Sequence, residues 1–142
     1  MSKTYIPAEL RRRVIARASK CCEYCRVSQE DHGFTFQINH INSEKHGGGS
    51  EFDNLALGCS YCNAYKGSDI ASKDVVTGEL TYLFNPRKDL WSEHFKLDGA
   101  TIVPLTAVGR VTVAVLKLNR PEQIVERAGL IELGRYPCAG SV

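Results

Sequence analysis

The hydrophobic and polar positions near the N-terminus repeat with the period of an α-helix. A stripe of apolar side chains, with arginines on the opposite side, consists of Leu10, Val14, Ile15 and Ala18. Pro7 suits the first turn of a helix, because a backbone N–H at that position has no partner within the helix. The pattern therefore predicts an amphipathic helix over residues 7–19.

The next patterned stretch indicates two short strands followed by a helix. Residues 34–38 alternate apolar and polar side chains, as a half-buried strand does, and His40 lies at the exit of this strand. The three glycines at 47–49 interrupt regular structure. Residues 54–57 then predict a second strand, and residues 60–70 predict a helix. The order is strand, loop, strand, helix.

The C-terminal third is expected to form a small extension over about 80–137. Residues 100–103 and 110–118 have the composition and alternation of strands. Asn119 and Glu122 have the spacing of a capping box, which predicts the start of a terminal helix. The fold class predicted for the whole chain is α+β, with an N-terminal helix, a strand–strand–helix core and a strand–strand–helix extension.

Length and composition are those of one ordinary globular domain spanning residues 1–142, with its core at about 20–70. The chain is 43% hydrophobic and 24% charged, and its formal net charge is +2. No apolar run approaches the roughly 18 residues that a membrane span requires. The basic N-terminus has no apolar segment of the secretory type, so we expect a cytoplasmic protein with no membrane partner.

Two cysteine pairs are the most informative chemical feature. Cys22 and Cys25 form one CxxC knuckle, Cys59 and Cys62 form a second, and 33 residues separate the pairs. Four thiolates in this arrangement predict a closed tetrahedral zinc site. Cys21 also has permissible spacing to Cys25, although the symmetry of two CxxC knuckles favours Cys22.

Cys21 and Cys138 lie outside the two CxxC pairs. In a chain without an export signal, cysteines are expected to be metal ligands or reduced thiols rather than disulfides. Cys138 lies far from the knuckles in sequence and is predicted to be a free thiol. Cys21, if it is not a ligand, is expected to be reduced as well.

Positive charge is concentrated at the N-terminus. Residues 1–20 hold six basic side chains and one acidic side chain, a local net charge of +5. Such a helix can lie along a phosphate backbone, since phosphate contacts supply most of the sequence-independent affinity for nucleic acids. The same pattern also fits a solvated helix face, and charge alone does not choose between them.

The segment 36–67 resembles the HNH endonuclease family, whose core is the ββα-metal fold. The family pattern is an acidic residue with His and an apolar residue, a Gly-Gly loop, Asp-Asn-Leu, and Cys-x-x-Cys-Asn-x-x-Lys-Gly. In this chain the corresponding residues are Asn39-His40-Ile41, Gly47-Gly48, Asp53-Asn54-Leu55, and the run from Cys59 to Gly67. The ordered combination of these motifs makes the resemblance specific.

The resemblance implies a role for each matched polar residue. His40 corresponds to the general base, and histidine suits that role because its pKa lies near neutrality. Asn39 and Asn63 match the two ligand positions for a catalytic divalent ion, Mg²⁺ or another metal, and amide oxygens are suitable ligands for hard cations. Asn54 matches the asparagine that orients the loop and the base.

The function expected from this resemblance is metal-dependent hydrolysis of phosphodiester bonds in DNA. The residues expected to contact the nucleic acid are Arg11, Arg12, Arg13, Arg17 and Lys66. Position 39 is usually acidic in the family, and the neutral Asn39 should weaken metal binding. An alternative is therefore a non-catalytic zinc-ribbon protein that binds nucleic acid on an HNH scaffold. A third class, a zinc-held protein-interaction module, would need neither His40 nor the basic helix.

Overall fold

The first helix of the protein packs its apolar stripe against the core, as its sequence predicts. The structure is a computed structural model that describes residues 5–33 and 35–140. Helix α1 spans Ala8–Arg17 and begins directly after Pro7. Val14 and Ala18 are buried, and Leu10 and Ile15 pack against the same core. The predicted N-terminal helix is confirmed.

A hairpin and a helix form the centre of the fold. Strand β1 spans Gln37–His40, strand β2 spans Leu55–Gly58, and helix α2 spans Ser60–Lys66. The strands are antiparallel, and their register places His40 opposite Leu55 at one end of the hairpin. The predicted strand, loop, strand and helix order is confirmed. The hairpin and the N-terminal part of α2 thus lie next to each other.

The first strand begins later than its alternating pattern suggests. We expected it over residues 34–38, but β1 starts at Gln37 and includes His40 as its last residue. Phe34 lies outside the described residues. The backbone N–H of Phe36 donates to Oε1 of Gln29 instead of to a strand partner, because β2 ends at Gly58 opposite Gln37. Tertiary pairing, not local alternation, sets this boundary.

The outer edge of β2 is closed by two charged side chains. The guanidinium of Arg17 donates to the carbonyl oxygens of Phe52 and Leu55. Glu23 donates its backbone N–H to the carbonyl of Leu57 and accepts the N–H of Leu57 with its carboxylate, at 2.9 and 2.8 Å. Unpaired strand edges invite association with other chains, so these contacts protect the hairpin and fix α1 against it.

The C-terminal extension consists of two small hairpins and three helices. The hairpins pair β3 (Ala71–Lys73) with β4 (Leu80–Tyr82), and β5 (Phe95–Asp98) with β6 (Thr101–Pro104). A short helix α3, Trp91–His94, precedes β5. The indole N–H of Trp91 donates to the carbonyl of Tyr24 at 2.8 Å, which joins the extension to the first cysteine knuckle. The strand predicted at 100–103 is confirmed.

The strand predicted at 110–118 is wrong, because this segment belongs to helix α4, Ala107–Leu116. Alternating valines favour a strand locally, but the side chain of Thr106 accepts the N–H of Gly109 and caps a helix. A Cβ on Gly109 would lie 2.3 Å from the carbonyl oxygen of His94, so glycine allows α4 to pack closely here. Tertiary packing overrides the local preference.

Helix α4 is also fixed by an ion pair to the first small hairpin. Arg110 donates from Nε and from Nη2 to the two carboxylate oxygens of Asp74, at 2.8 and 2.9 Å. The Arg110 hydrogen bonds hold the pKa of the Asp74 carboxyl well below its usual range. Asp74 is buried, and the paired geometry satisfies the charge that burial would otherwise penalise.

The last helix, α5, spans Pro121–Glu132 and confirms the predicted terminal helix, but the predicted capping box is wrong. Arg120, not Asn119, occupies the N-cap position. Oδ1 of Asn119 instead accepts the N–H of Ile102 at 2.9 Å, and Nδ2 of Asn119 donates to the carbonyl of Ile102 at 2.8 Å.

Helix α5 has 12 residues, and across residues 5–33 and 35–140 no helix is long and apolar enough to cross a membrane.

The expectation that Cys21 and Cys138 are reduced is wrong, because they form a disulfide with Cα atoms 5.8 Å apart. The cross-link attaches the C-terminal segment to the residue that precedes the first knuckle. Cys138 also donates its N–H to the carbonyl of Arg26, and the hydroxyl of Tyr136 donates to the carbonyl of Cys25 at 2.7 Å. The two cysteines are 117 positions apart in sequence. Closing a loop of this length stabilises a fold by about 4–5 kcal/mol on the chain-entropy estimate.

Candidate metal centres and nuclease site

Four cysteine sulfurs converge at the junction of the first knuckle, β2 and α2. The sulfurs lie within 4.8 Å of one another, and those of Cys25 and Cys59 are 3.7 Å apart. A zinc–sulfur bond of about 2.3 Å gives a tetrahedron with an edge of about 3.8 Å, so the spacing fits zinc. The cluster contains Cys22, not Cys21. The predicted four-cysteine site is confirmed in its residues, which are Cys22, Cys25, Cys59 and Cys62.

Each CxxC pair is folded so that backbone N–H groups point at sulfur. The N–H of Cys25 lies 3.5 Å from the sulfur of Cys22, and the N–H of Cys62 lies 3.4 Å from the sulfur of Cys59. Cys59 is the N-cap residue of α2, so the second pair also starts the helix. Such N–H groups stabilise negative charge on a sulfur ligand. The local fold therefore favours thiolates at this site.

The four thiols are packed too closely to ionise together without a cation. Burial opposes ionisation of Cys22, but hydrogen bonds from the other three cysteines outweigh it and lower the pKa of Cys22. Hydrogen bonding with Cys22 raises the pKa of Cys25 and of Cys62. A divalent cation would allow all four to ionise, and Zn²⁺ suits a buried set of four sulfur ligands.

A chain of side-chain hydrogen bonds brings Asn39 and Asn63 together beside this cluster. Nδ2 of Asn39 donates to Oδ1 of Asn63 at 3.1 Å, and Nδ2 of Asn63 donates to Oε1 of Gln37 at 2.6 Å. The hydroxyl of Tyr24 donates to Oδ1 of Asn39 at 3.1 Å. Asn39 is only 5% exposed, so its amide is held in a fixed orientation. The structure thus joins two residues that are 24 positions apart in sequence.

Tyr24 was not among the residues selected from the sequence. It lies between the two cysteines of the first knuckle and is almost fully buried. Burial raises the pKa of Tyr24 well above its ordinary value, so the phenol remains a neutral donor. Its position inside a CxxC motif gives no sign of contact with Asn39, because that contact depends on how the knuckle packs on β1.

His40 lies at the end of β1 with its ring enclosed by the glycine-rich loop. The side chain is 8% exposed, and its Nε2 lies 3.0 Å from Oγ of Ser50. Ser50 also was not predicted from the sequence, because a serine in a polar loop has no distinguishing pattern. The structure places a hydroxyl group against one nitrogen of the imidazole, which leaves Nδ1 as the other nitrogen available for chemistry.

Asn54 fixes the loop that carries Ser50. Its Oδ1 accepts the N–H of Asn42 at 2.9 Å, and its Nδ2 donates to the carbonyls of Asn42 and Gly49 at 2.9 and 2.7 Å. A Cβ on Gly48 would lie 1.7 Å from the carbonyl oxygen of Asn42, so only glycine fits this approach. These contacts match the loop-orienting role that the family resemblance implies for Asn54.

Lys66 does not occupy the position expected of a phosphate contact. It is 2% exposed, and its ammonium donates to the carbonyls of His40 and Ile41 at 3.0 and 3.2 Å. Burial lowers the pKa of Lys66 to about 8. The side chain connects the end of α2 to the end of β1, so its role in the described structure is to hold these two elements together.

The four arginines of α1 have different surroundings. Arg17 donates to two backbone carbonyls and stacks on the ring of Phe52, with 3.8 Å between its guanidinium carbon and the ring centroid. Arg13 is exposed and stacks on the same ring at 4.2 Å. Arg12 is exposed and Arg11 is half-buried. Arg17 is therefore part of the scaffold, whereas the other three are placed closer to solvent.

Arg87 is paired inside the protein. Its guanidinium forms an ion pair with the carboxylate of Glu23, and its side chain is largely buried. Glu23 in turn binds the backbone N–H of Leu57 on β2. Burial raises the pKa of Glu23, while the arginines beside it oppose that shift. Arg87 thus joins the C-terminal extension to the edge of the hairpin.

A second metal ion would have to be held mainly by amide oxygens. Within residues 5–33 and 35–140, the four cysteines are the one group of three or more His, Cys, Asp or Glu side chains close enough to share an ion. Oδ1 of Asn39 and Oδ1 of Asn63 lie on adjacent, fixed amides. Hard divalent cations accept neutral oxygen ligands together with water and substrate phosphate. Each of these oxygens already accepts one hydrogen bond and keeps a second lone pair for an ion, and neither brings a charge of its own to attract it.

The fold and the site together define a ββα unit closed by a four-cysteine metal centre. Residues 22–69 match the model of the HNH endonuclease family, which agrees with the resemblance seen in the sequence motifs. The match ends before the C-terminal extension and starts after α1. No curated protein and no solved structure gave a significant match to the chain. The family supports a nuclease-type activity in general terms, and the four cysteines indicate zinc.

Proposed function

We propose that this protein is an endonuclease that hydrolyses phosphodiester bonds in DNA with the help of a divalent ion. The observation that supports the proposal most directly is the joint placement of His40, Asn39 and Asn63 on one ββα unit, with each side chain fixed by its neighbours. The imidazole offers a proton acceptor and the two paired amides offer oxygen ligands, which are the groups that metal-assisted hydrolysis requires. We propose further that residues 1–142 act as one unit.

His40 is the general base in this proposal. Its imidazole takes a proton from a water molecule, the resulting hydroxide oxygen bonds to phosphorus, and the bond from phosphorus to the leaving 3′ oxygen breaks. The 3′ oxygen then takes up a proton from solvent. A divalent ion held by the amide oxygens of Asn39 and Asn63 would supply positive charge for the phosphate oxygens. Asn54 keeps the surrounding loop in place through its three backbone hydrogen bonds.

The neutral residue at position 39 makes a second function worth testing. An aspartate there would bring a negative charge to the ion, whereas Asn39 brings only a dipole. Nδ2 of Asn39 also donates to Asn63, so an aspartate would require Asn63 to turn its amide and donate in return. The specific observation of a neutral, hydrogen-bonded amide favours weak metal binding. The alternative function is therefore a DNA-binding protein on an HNH scaffold without turnover.

Cleavage of supercoiled plasmid should separate these two functions. The purified protein, incubated with Mg²⁺, Mn²⁺ or Ni²⁺, is expected to produce nicked or linear DNA, and Asn39→Asp is expected to lower the metal concentration needed for half-maximal cleavage. The physical reason is the added charge attraction for the cation. If the parent cuts nothing with any of these ions and Asn39→Asp does cut, the natural protein is a binder.

Affinity for DNA is proposed to come from the exposed part of α1. Arg11, Arg12 and Arg13 lie on the helix whose C-terminal end is fixed to β2 through Arg17. Arg13 stacks on Phe52, which belongs to the short 3₁₀ turn that ends at Asn54. Arg13 is thus connected to the turn that ends at Asn54, the residue that fixes the loop next to His40. We do not retain Lys66 among the DNA contacts, because its ammonium is buried and bonded to two carbonyls.

The salt dependence of binding tests this assignment. Replacing Arg11 and Arg12 with glutamine is expected to reduce the slope of log affinity against log salt concentration by about 1.8 for duplex DNA, because two fewer counterions are released. A matched control is the double variant Lys73→Gln/Lys96→Gln, which removes two exposed charges from the C-terminal extension. Equal slopes for the parent and the arginine variant would place α1 away from the DNA.

A further inference from the structure

The hydrogen bond between His40 and Ser50 has a direction that matters for catalysis. A neutral imidazole has one nitrogen that donates and one that accepts. A hydroxyl can act in either sense, so the 3.0 Å contact between Nε2 and Oγ is compatible with both tautomers. Only the tautomer with hydrogen on Nε2 leaves Nδ1 free to take a proton from water. Which tautomer predominates therefore decides whether His40 can act as a base.

We propose that Ser50 is a positioning residue for His40: its hydroxyl oxygen accepts the Nε2–H and so fixes the tautomer and ring orientation in which Nδ1 is the basic atom. This inference rests on the proposed function and adds a residue that the family match does not assign. Ser50 does not touch substrate in this assignment. It acts through the imidazole: its hydroxyl binds Nε2, whereas Nδ1 is the nitrogen that takes the proton.

The bond to Ser50 also strengthens as the reaction proceeds. When Nδ1 takes a proton, the ring becomes an imidazolium and the Nε2–H becomes a charged donor. Hydrogen bonds to charged groups are about twice as strong as neutral ones. The Ser50 oxygen therefore stabilises the protonated ring more than the neutral ring, and an interaction that grows along the reaction raises the rate rather than substrate affinity.

The surrounding loop is built to keep Ser50 in place. Its neighbour Gly49 accepts a 2.7 Å hydrogen bond from Asn54, and Gly48 packs against the carbonyl of Asn42. Two residues after Ser50, the carbonyl of Phe52 accepts a hydrogen bond from Arg17 at 2.8 Å. The backbone on both sides of Ser50 is thus anchored. A hydroxyl on such a segment keeps its distance to the imidazole without depending on a flexible loop.

Ser50→Ala is expected to lower kcat for plasmid cleavage by about 10–100-fold, with KM and zinc content unchanged, because a hydrogen bond to a charged group is lost. Ser72→Ala is the matched control, since it removes another half-buried serine, on β3. Ser50→Thr and Ser50→Val form an isosteric pair that differs in the hydroxyl. Ser50→Thr is expected to retain a kcat within several-fold of the parent. Ser50→Val is expected to lose as much kcat as Ser50→Ala does.

A second measurement does not depend on cleavage. Nitrogen NMR of the neutral His40 ring is expected to show the proton on Nε2 in the parent and in Ser50→Thr, and a mixture of tautomers in Ser50→Val. Equal kcat for the Thr and Val variants, or the same tautomer in both, would overturn the role of Ser50. If the parent shows no cleavage with any metal, the proposed function fails, and the NMR comparison still decides whether Ser50 fixes the ring.

Discussion

Cys59→Ser is expected to lose the bound zinc and to unfold at least residues 20–70. Structural zinc sites provide about 10–16 kcal/mol of apparent binding free energy. The stability of a whole domain is only about 5–15 kcal/mol. Cys59 is also the N-cap of α2, and because serine caps helices well, the variant removes the zinc ligand but keeps a cap on the helix that carries Asn63. Elemental analysis should find one zinc per chain in the parent, and thermal unfolding should show the loss of structure in the variant.

The disulfide offers a matched control for this experiment. The double variant Cys21→Ser/Cys138→Ser removes two buried sulfur atoms close to the knuckle but none of the four that converge. It is expected to keep one zinc per chain and to melt at a lower temperature, because the cross-link no longer restricts the unfolded chain. A Cys59→Ser protein that melts like the parent, or a parent without zinc, would contradict a structural role for the metal.

His40→Ala is expected to reduce the rate of DNA cleavage by roughly 10²–10⁴-fold, the usual contribution of a general base. The fold should survive, because the four sulfurs lie on the first knuckle and at the start of α2, and His40 is not part of the hydrophobic core. DNA affinity should be nearly unchanged, since phosphate contacts supply most of it and His40 is buried behind the loop. Single-turnover cleavage, thermal unfolding and a binding titration on the same samples would measure the three quantities.

His46→Ala is the control for the catalytic variant. His46 is exposed and lies in the short 3₁₀ turn Glu44–His46, within the loop that follows β1. It offers the same imidazole a few residues away without the contact to Ser50. We expect cleavage by His46→Ala to match the parent. Equal cleavage by His40→Ala and the parent would show that the base has been wrongly assigned.

The part of the fold that could be predicted from the sequence is the part specified by short-range signals. The CxxC knuckles, the Gly-Gly loop and the Asn39-His40 pair lie within one segment, and metal ligation restricts how that segment can fold. The amphipathic pattern of α1 was equally local. Asn39 and Asn63 could be expected near each other because a shared zinc site holds this strand–loop–strand–helix segment together, and the structure places Nδ2 of Asn39 3.1 Å from Oδ1 of Asn63.

The features that could not be predicted depend on contacts between distant residues. Helix α4 forms where alternating valines suggest a strand, because Gly109 allows close approach to His94. Cys21 and Cys138 are 117 positions apart, and no local pattern pairs them. Lys66 lies within the family motif, yet its ammonium is directed at backbone carbonyls rather than at solvent. In each case burial decides a role that residue type leaves open.

The hydroxyl of Tyr24 has a consequence for any study that uses chelating agents. This residue lies between two of the four converging cysteines in sequence and donates directly to the oxygen of Asn39, so it links the four-cysteine site to the proposed catalytic site. Withdrawing zinc would loosen the first knuckle and displace the amide that is proposed to hold the catalytic ion. Inhibition by a general chelator would therefore combine two effects, and only dialysis that keeps zinc while exchanging weaker ions would report on the catalytic metal alone.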